Sequence, residues 1–192
     1  MLQLPSGVIL SNVNVTHEIP NFKTTSMSRI VKVKGRGIHV LKGDIDVTVG
    51  GDVRTQKRYN SFLTKAQGSL NTFELDLPMH FKSEHMTENP TTLNAIDIGA
   101  TKMTLGTFVG EVYEGSYFTL PNDSKIYVAQ NDATSGQELS FFPAARQSVL
   151  QNGEINFISP VITARFVDDV QSQSMVENGL IIEAKLDWEE AL

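Results

Sequence analysis

Residues 39–78 read HVLKGDIDVTVGGDVRTQKRYNSFLTKAQGSLNTFELDLP, and the fold is decided in this stretch. Leu41, Ile45, Val47 and Val49 alternate with Lys42, Asp44, Asp46 and Thr48, the period-2 pattern of a strand with one buried face. Gly50-Gly51 break the pattern. Asp52 follows as an N-cap, because its carboxylate can accept an orphan backbone N–H. Tyr59, Phe62, Leu63 and Ala66 then fall at i, i+3, i+4 and i+7, one apolar face of a helix spanning about residues 53–67. Gly68 supplies a left-handed stop. Phe73, Leu75 and Leu77 resume the strand period, with Thr72, Glu74 and Asp76 turned to water.

Outward from this block the chain is a succession of short alternating runs and turn signals, the pattern of an all-β body. Val8–Val15 reads as a first strand, residues 16–26 as a loop punctuated by Pro20, and Arg29–Val33 as a strand. Beyond residue 78 the stretch MHFKSEHMTENP is polar and reads as a projecting loop. Lys125–Ala129, Gln137–Phe142, Glu154–Ile158 and Val161–Phe166 read as further strands, Asp168–Asn178 as a polar linker and Gly179–Leu186 as the last strand. The expectation is a mainly β chain, a β-sandwich or partly open β-barrel with one short α-helix. It forms a single β-rich domain of residues 1–192 with a loop or subdomain inserted at about 79–120.

Composition agrees with a folded protein. Of 192 residues, 40% are hydrophobic and 20% charged, a balance that separates folded domains from disordered ones. No apolar run approaches the roughly 20 residues of a membrane-spanning helix, so no membrane insertion is expected. The opening MLQLPSGVIL lacks the basic and long apolar regions of a secretory signal, which reads as synthesis in the cytoplasm. The chain has no cysteine, which excludes disulfides and thiol nucleophiles. The net charge is −6. The densest basic runs, Arg29–Arg36 and Arg54–Arg58, read respectively as the solvated face of a strand and the polar side of the helix.

No residue pattern points to catalysis. His80 and His85 are close, with Glu84 and Glu88 nearby, but a spacing of five suits neither a helix face nor a strand face as a metal frame. The pairs Asp44/Asp46 and Glu74/Asp76 sit at i, i+2 on outer strand faces, where solvation alone explains them. There is no serine elbow, dinucleotide fingerprint or phosphate loop. The expectation is therefore no enzyme, no metal and no cofactor. Phe141 and Phe142 are adjacent in a strand, so alternation sends them to opposite faces, and one of them is expected to meet a neighbouring subunit. A different class stays open: a carbohydrate-binding β-sandwich in which Tyr113, Tyr117 and Trp188 stack on sugars.

Several blocks carry a family likeness. Phe62-Leu63, Gly68, Thr72-Phe73, Leu75 and Pro78 form an "FL…G…TF.L..P" run after the strand and helix. Ile126-Tyr127-Val128, Ser140-Phe141-Phe142-Pro143-Ala144-Ala145-Arg146, Ile158-Ser159-Pro160-Val161 and Thr163-Ala164-Arg165-Phe166 follow in the order "V…D…PPLR…P…RF". The chain ends Trp188-Glu189-Glu190-Ala191-Leu192. In these blocks the sequence resembles phage distal tail proteins and related baseplate components; the segment from Met79 to Leu120 matches nothing of theirs. The resemblance implies a structural protein of the virion tail that associates with itself in a ring, commonly a hexamer. Its partners would be the tail tube protein, baseplate hub or tail-tip proteins and the tape-measure protein, with DNA only passing through the lumen. A tail tube or tail-completion protein is the neighbouring alternative. On this reading the ring interface is expected at Ile45, Val47, Phe62, Phe73, Phe141, Phe142 and Phe166, and a peripheral partner at the loop of His80, Lys82, Glu84, His85 and Glu88.

Overall fold

The computed structural model describes residues 1–76, 81, 83, 85–176 and 181–192. In chain order its elements are β1 (Leu2–Gln3), β2 (Val8–Glu18), β3 (Asn21–Thr25), β4 (Val31–Gly35), β5 (Val40–Val49), α1 (Val53–Ala66), β6 (Phe73–Leu75), β7 (Lys102–Thr104), β8 (Tyr117–Thr119), β9 (Ile126–Ala129), β10 (Glu138–Phe142), β11 (Ile162–Phe166), β12 (Gln173–Val176) and β13 (Ile181–Glu190). The protein is mainly β, with several sheets, consistent with a β-sandwich or partly open β-barrel. The chain forms two compact units, one of Met1–His17, Leu41–Leu75 and Ile162–Leu192, the other of Glu18–Val40 and Asp76–Val161. The inserted part thus runs well past residue 120, because strands β8, β9 and β10 close their own core.

In the first unit the strands follow the order β1-β6-β11-β13-β5-β2, with β12 also on β13. The long pairing is antiparallel, from Lys42 opposite Glu189 to Val49 opposite Ile182. Leu41, Ile45, Val47 and Val49 from β5 are buried, as are Ile182, Leu186 and Trp188 from β13, so the alternation read from the sequence is the alternation of burial. Helix α1 buries Tyr59, Phe62 and Ala66. The Phe62 ring meets Phe73 edge-on at 5.5 Å and Phe166 at 6.1 Å, and Phe73 lies 4.8 Å from Phe166. These tilted and edge-to-face rings use the geometry aromatic pairs prefer.

The helix is capped as its sequence demands. Asp52 accepts the Thr55 backbone N–H, and that bond holds its carboxyl below the ordinary value. At the other end Gln67, not Gly68, is the left-handed C-cap (φ 53°), donating to Leu63 O. Gly68 follows with φ 63°, and a Cβ there would stand 2.7 Å from Asp169 Cα. Ser69 donates to Asp169 through both its backbone N–H and its hydroxyl, at 3.1 and 2.6 Å. Gly68 therefore serves both a left-handed turn and a close backbone approach.

The second unit centres on a four-stranded sheet, β7-β10-β9-β8. Phe118 lies 5.6 Å from Tyr127, 5.7 Å from Phe141 and 4.7 Å from Phe157. Around these rings Leu105, Val112, Leu139 and Ile155 are fully buried. Isolated bridges such as Ile96–Val149 and Val112–Ala133 tie the surrounding loops. Among the described residues the segment Glu154–Ile158, read as a strand, supplies only single bridges, to Thr91 and Thr119. Asp168–Asn178, read as a linker, contains β12, paired with β13 from Gln173–Ala184 to Val176–Ile181.

Three substitutions test this packing. A Cβ at Gly43 would stand 2.0 Å from Asn14 O and 2.9 Å from the Trp188 ring. Gly43→Ala is expected to cost at least the ~1–3 kcal/mol typical of overpacking, read by urea unfolding. The two buried tyrosines should respond oppositely. Tyr127 donates to Asp123 Oδ2 at 2.6 Å and accepts the Arg146 N–H at 3.1 Å, and burial pushes its hydroxyl well above the ordinary range. Tyr127→Phe leaves a buried carboxylate short of a donor and should destabilise by about 1–3 kcal/mol. The Tyr59 hydroxyl has no partner among the described residues and burial pushes it up to about 12. Tyr59→Phe should be neutral or stabilising in the same assay.

Candidate interaction surface

The residues singled out by sequence do not form a surface. Ile45, Val47, Phe62, Phe73, Phe141 and Phe166 are all buried, none more than 3% exposed, and they build the cores of their own units. They are spent on intramolecular packing, so their side chains cannot be presented to a neighbour. Phe142 is half-buried, its ring 5.9 Å from that of His39. Alternation separated Phe141 from Phe142 correctly, but most of the expected interface is core. Of the peripheral-loop residues, His80, Lys82 and Glu84 lie outside the described residues. His85 is exposed, with its ring 4.5 Å from Tyr113, and Glu88 is exposed.

The other chemistries fare similarly. Trp188 is 1% exposed in the core of the first unit, which removes it from any sugar-stacking platform. Tyr117 packs against Phe81 at 4.7 Å in the second unit. The outer-face acids of β5 are held by local partners. Asn14 donates to Asp44 at 2.9 Å and Asn12 to Asp46 at 2.8 Å, while Lys185 lies 3.1 Å from Asp44. The Asn14 bond and then Lys185 lower the Asp44 carboxyl below its ordinary value. Among the described residues no group of three or more His, Asp or Glu is placed to hold a metal ion, and no helix is long and apolar enough to cross a membrane. A shallow groove beside β1 and α1, lined by Leu2, Pro5, Arg58, Ser61 and Lys65, brings together no reactive pair.

The feature that sequence reading missed is the hairpin β3–β4. Residues 21–25, read as loop, pair antiparallel with Val31–Gly35, from Asn21–Gly35 to Thr25–Val31. The tip is tied by Ser26 N–H to Ile30 O and Arg29 N–H to Ser26 O, both 2.9 Å, with Arg29 in the left-handed region at φ 61°. All ten strand residues are exposed, including Phe22 at 59% and Val33 at 62%. At the tip Met27 and Ile30 are exposed as well. Its strands form a sheet of two. A two-stranded ribbon with neither face covered is marginal on its own in water, and its outer edges carry unpaired backbone groups that template pairing.

No family model matches the chain, and no curated protein matches it.

The register divides the hairpin into two faces. Lys23 and Val33 are cross-strand partners, as are Thr25 and Val31, whereas Phe22 pairs with Lys34 and Thr24 with Lys32. Partners share a face and the face alternates along the strand. One face therefore carries the two valines with Lys23 and Thr25, the other Phe22 and Thr24 with Lys32 and Lys34. The double variant Val31→Asp/Val33→Asp should leave the thermal midpoint of the dilute protein within a degree or two, because surface substitutions away from packed groups typically change stability by less than about 0.5 kcal/mol. A large loss in differential scanning calorimetry would place the valines inside a protomer core.

Proposed function

We propose that this protein is a structural component of a bacteriophage tail. It forms a closed ring that joins the tail tube to the baseplate or tail tip. The observation that carries the reading is the uncovered hairpin β3–β4, with Val31 49% and Val33 62% exposed on a two-stranded ribbon whose residues are all exposed, a face open to another surface. The sequence likeness in the strand–helix–strand block and in residues 126–166 supports the choice of family. A ring is built from heterologous interfaces, one patch of each subunit meeting a different patch of the next. A projecting ribbon that packs on, or pairs with, an edge of the neighbour is one such patch. The long strand β2, at the end of the strand order and mostly exposed, is an edge of the kind such contacts use. On this reading the tail tube protein docks on one side of the ring, and hub or tip proteins on the other. The structure is used as scaffold, and no bond is made or broken.

The test is the mass of the purified chain by light scattering over a concentration series, with negative-stain imaging. The expected result is a closed ring with a central hole, and loss of that species in the Val31→Asp/Val33→Asp variant while the fold persists. Open filaments would assign the chain to the tail tube class instead. A monomer that neither self-associates nor co-assembles with a tail tube protein would overturn the proposal.

A further inference from the structure

We propose that the second face of the hairpin, carrying Phe22, Lys32, Lys34 and Arg36, is a contact surface for the phosphate backbone of double-stranded DNA. The inference goes beyond the ring and does not need it.

Charge is the first argument. Between Ile19 and Leu41 the sequence holds Lys23, Arg29, Lys32, Lys34 and Arg36 and no Asp or Glu. A chain of net charge −6 thus divides into a segment of +5 and a remainder of −11. Such segregation is not needed to keep an acidic protein soluble; it puts one short ribbon in a position to meet an anion.

Geometry is the second. Lys32, Lys34 and Arg36 recur at every second residue, so they share one face. The Arg36 guanidinium lies 5.1 Å over the Phe22 ring, which places it on the face that Phe22 and Lys34 share. A strand advances about 3.4 Å per residue, so the cations repeat about every 6.8 Å. Successive phosphates of one DNA strand rise roughly 3.4 Å along the helix axis and lie farther apart along the winding strand itself, at a spacing comparable to that of the cations. A two-stranded ribbon also has the cross-section that the major groove admits. Phe22, braced by Arg36, adds an exposed ring beside the row.

An acidic protein face is the competing partner, and most of the acids on the outer face of the first unit's sheet are already held. Of the five acids on the outer face of β5 and β13, Glu183 and Asp187 are exposed, and three have partners: Asp44 with Lys185 and Asn14, Asp46 with Asn12, and Glu189 with Lys42 at 3.6 Å. Lys32 and Lys34, by contrast, have no carboxylate partner among the described residues, and Arg36 lies against a ring. Sequence reading took Arg29–Arg36 for the solvated side of a half-buried strand. The paired ribbon, with no buried side, changes that assignment.

The experiment is fluorescence anisotropy of the full chain against a labelled duplex of about 30 base pairs, between about 20 and 200 mM salt. Association is expected at the lowest salt, with a logarithmic salt slope of about −0.9 for each phosphate neutralised, so roughly −3 for the row. The triple variant Lys32→Gln/Lys34→Gln/Arg36→Gln should bind at least ~10-fold more weakly at the lowest salt and lose about 2.7 of that slope. The control Arg54→Gln/Lys57→Gln on α1 should change neither, and unchanged thermal midpoints establish that both variants fold. Absence of binding by the parent chain at the lowest salt would overturn the proposal. So would a slope unmoved by the triple variant. If the triple variant lowers the mass seen by light scattering and leaves DNA binding intact, the row belongs to a contact between copies and the DNA assignment is wrong.

Discussion

The antiparallel pairing of Lys42–Val49 with Ile182–Glu189 is the constraint on which the first unit depends. It binds the middle of the chain to its last strand across more than a hundred intervening residues. Every other strand of that sheet is placed by it: β2 flanks β5, and β11 and β12 share the other edge of β13. The pairing is tight enough to dictate residue choice. Gly43 sits opposite Trp188, where the Asn14 carbonyl and the indole leave no space for a side chain. Glu190, 3% exposed, accepts the Leu41 N–H at 3.1 Å. On the outer face Asp44 stands directly opposite Asp187, a like-charge pair that costs stability in a sheet. Lys185 and Asn14 offset it. Because the sheet is closed by distant segments, residues 76–161 can form a unit with a core of their own between them.

The hairpin is the exception that the same physics exposes. Elsewhere the sheets bury an apolar face, and alternation follows burial. In β3 and β4 the strand period persists without burial. A ribbon whose two faces differ in chemistry, two valines beside a single lysine on one and a row of cations with an aromatic ring on the other, has two surfaces to offer. Assembly and polyanion contact need not compete for the same side chains. In a tail ring, an acidic body with one basic ribbon per subunit would meet passing DNA at a few discrete points rather than along a continuous positive wall.

How much was legible in the sequence follows from where burial wrote a pattern. The stretch 39–76 was read almost to the residue, because β5, α1 and β6 each have one wet and one dry face, and because Asp52 and Gly68 are end signals with a mechanism. Burial at Ile45, Phe62 or Phe141 was legible too; its meaning was not. Alternation says that a side chain leaves water, but not whether its own chain or a neighbour covers it, and here its own chain does. Residues 21–25 were missed because Phe22 is their sole large apolar residue, and a ribbon exposed on both faces has no hydrophobic period. The extent of the inserted unit was missed for another reason. Its core draws on single residues such as Ile96, Val112 and Val149, held by isolated bridges, and single residues carry no periodicity.

The central claim is that the hairpin finds its cover in assembly. Amide hydrogen exchange of residues 21–35, followed from dilute to concentrated protein and again with a tail tube protein, tests it most directly. These amides are expected to gain protection as the chain assembles, while the amides paired between β5 and β13 change little. Hairpin amides that exchange equally fast in every one of these conditions would contradict it.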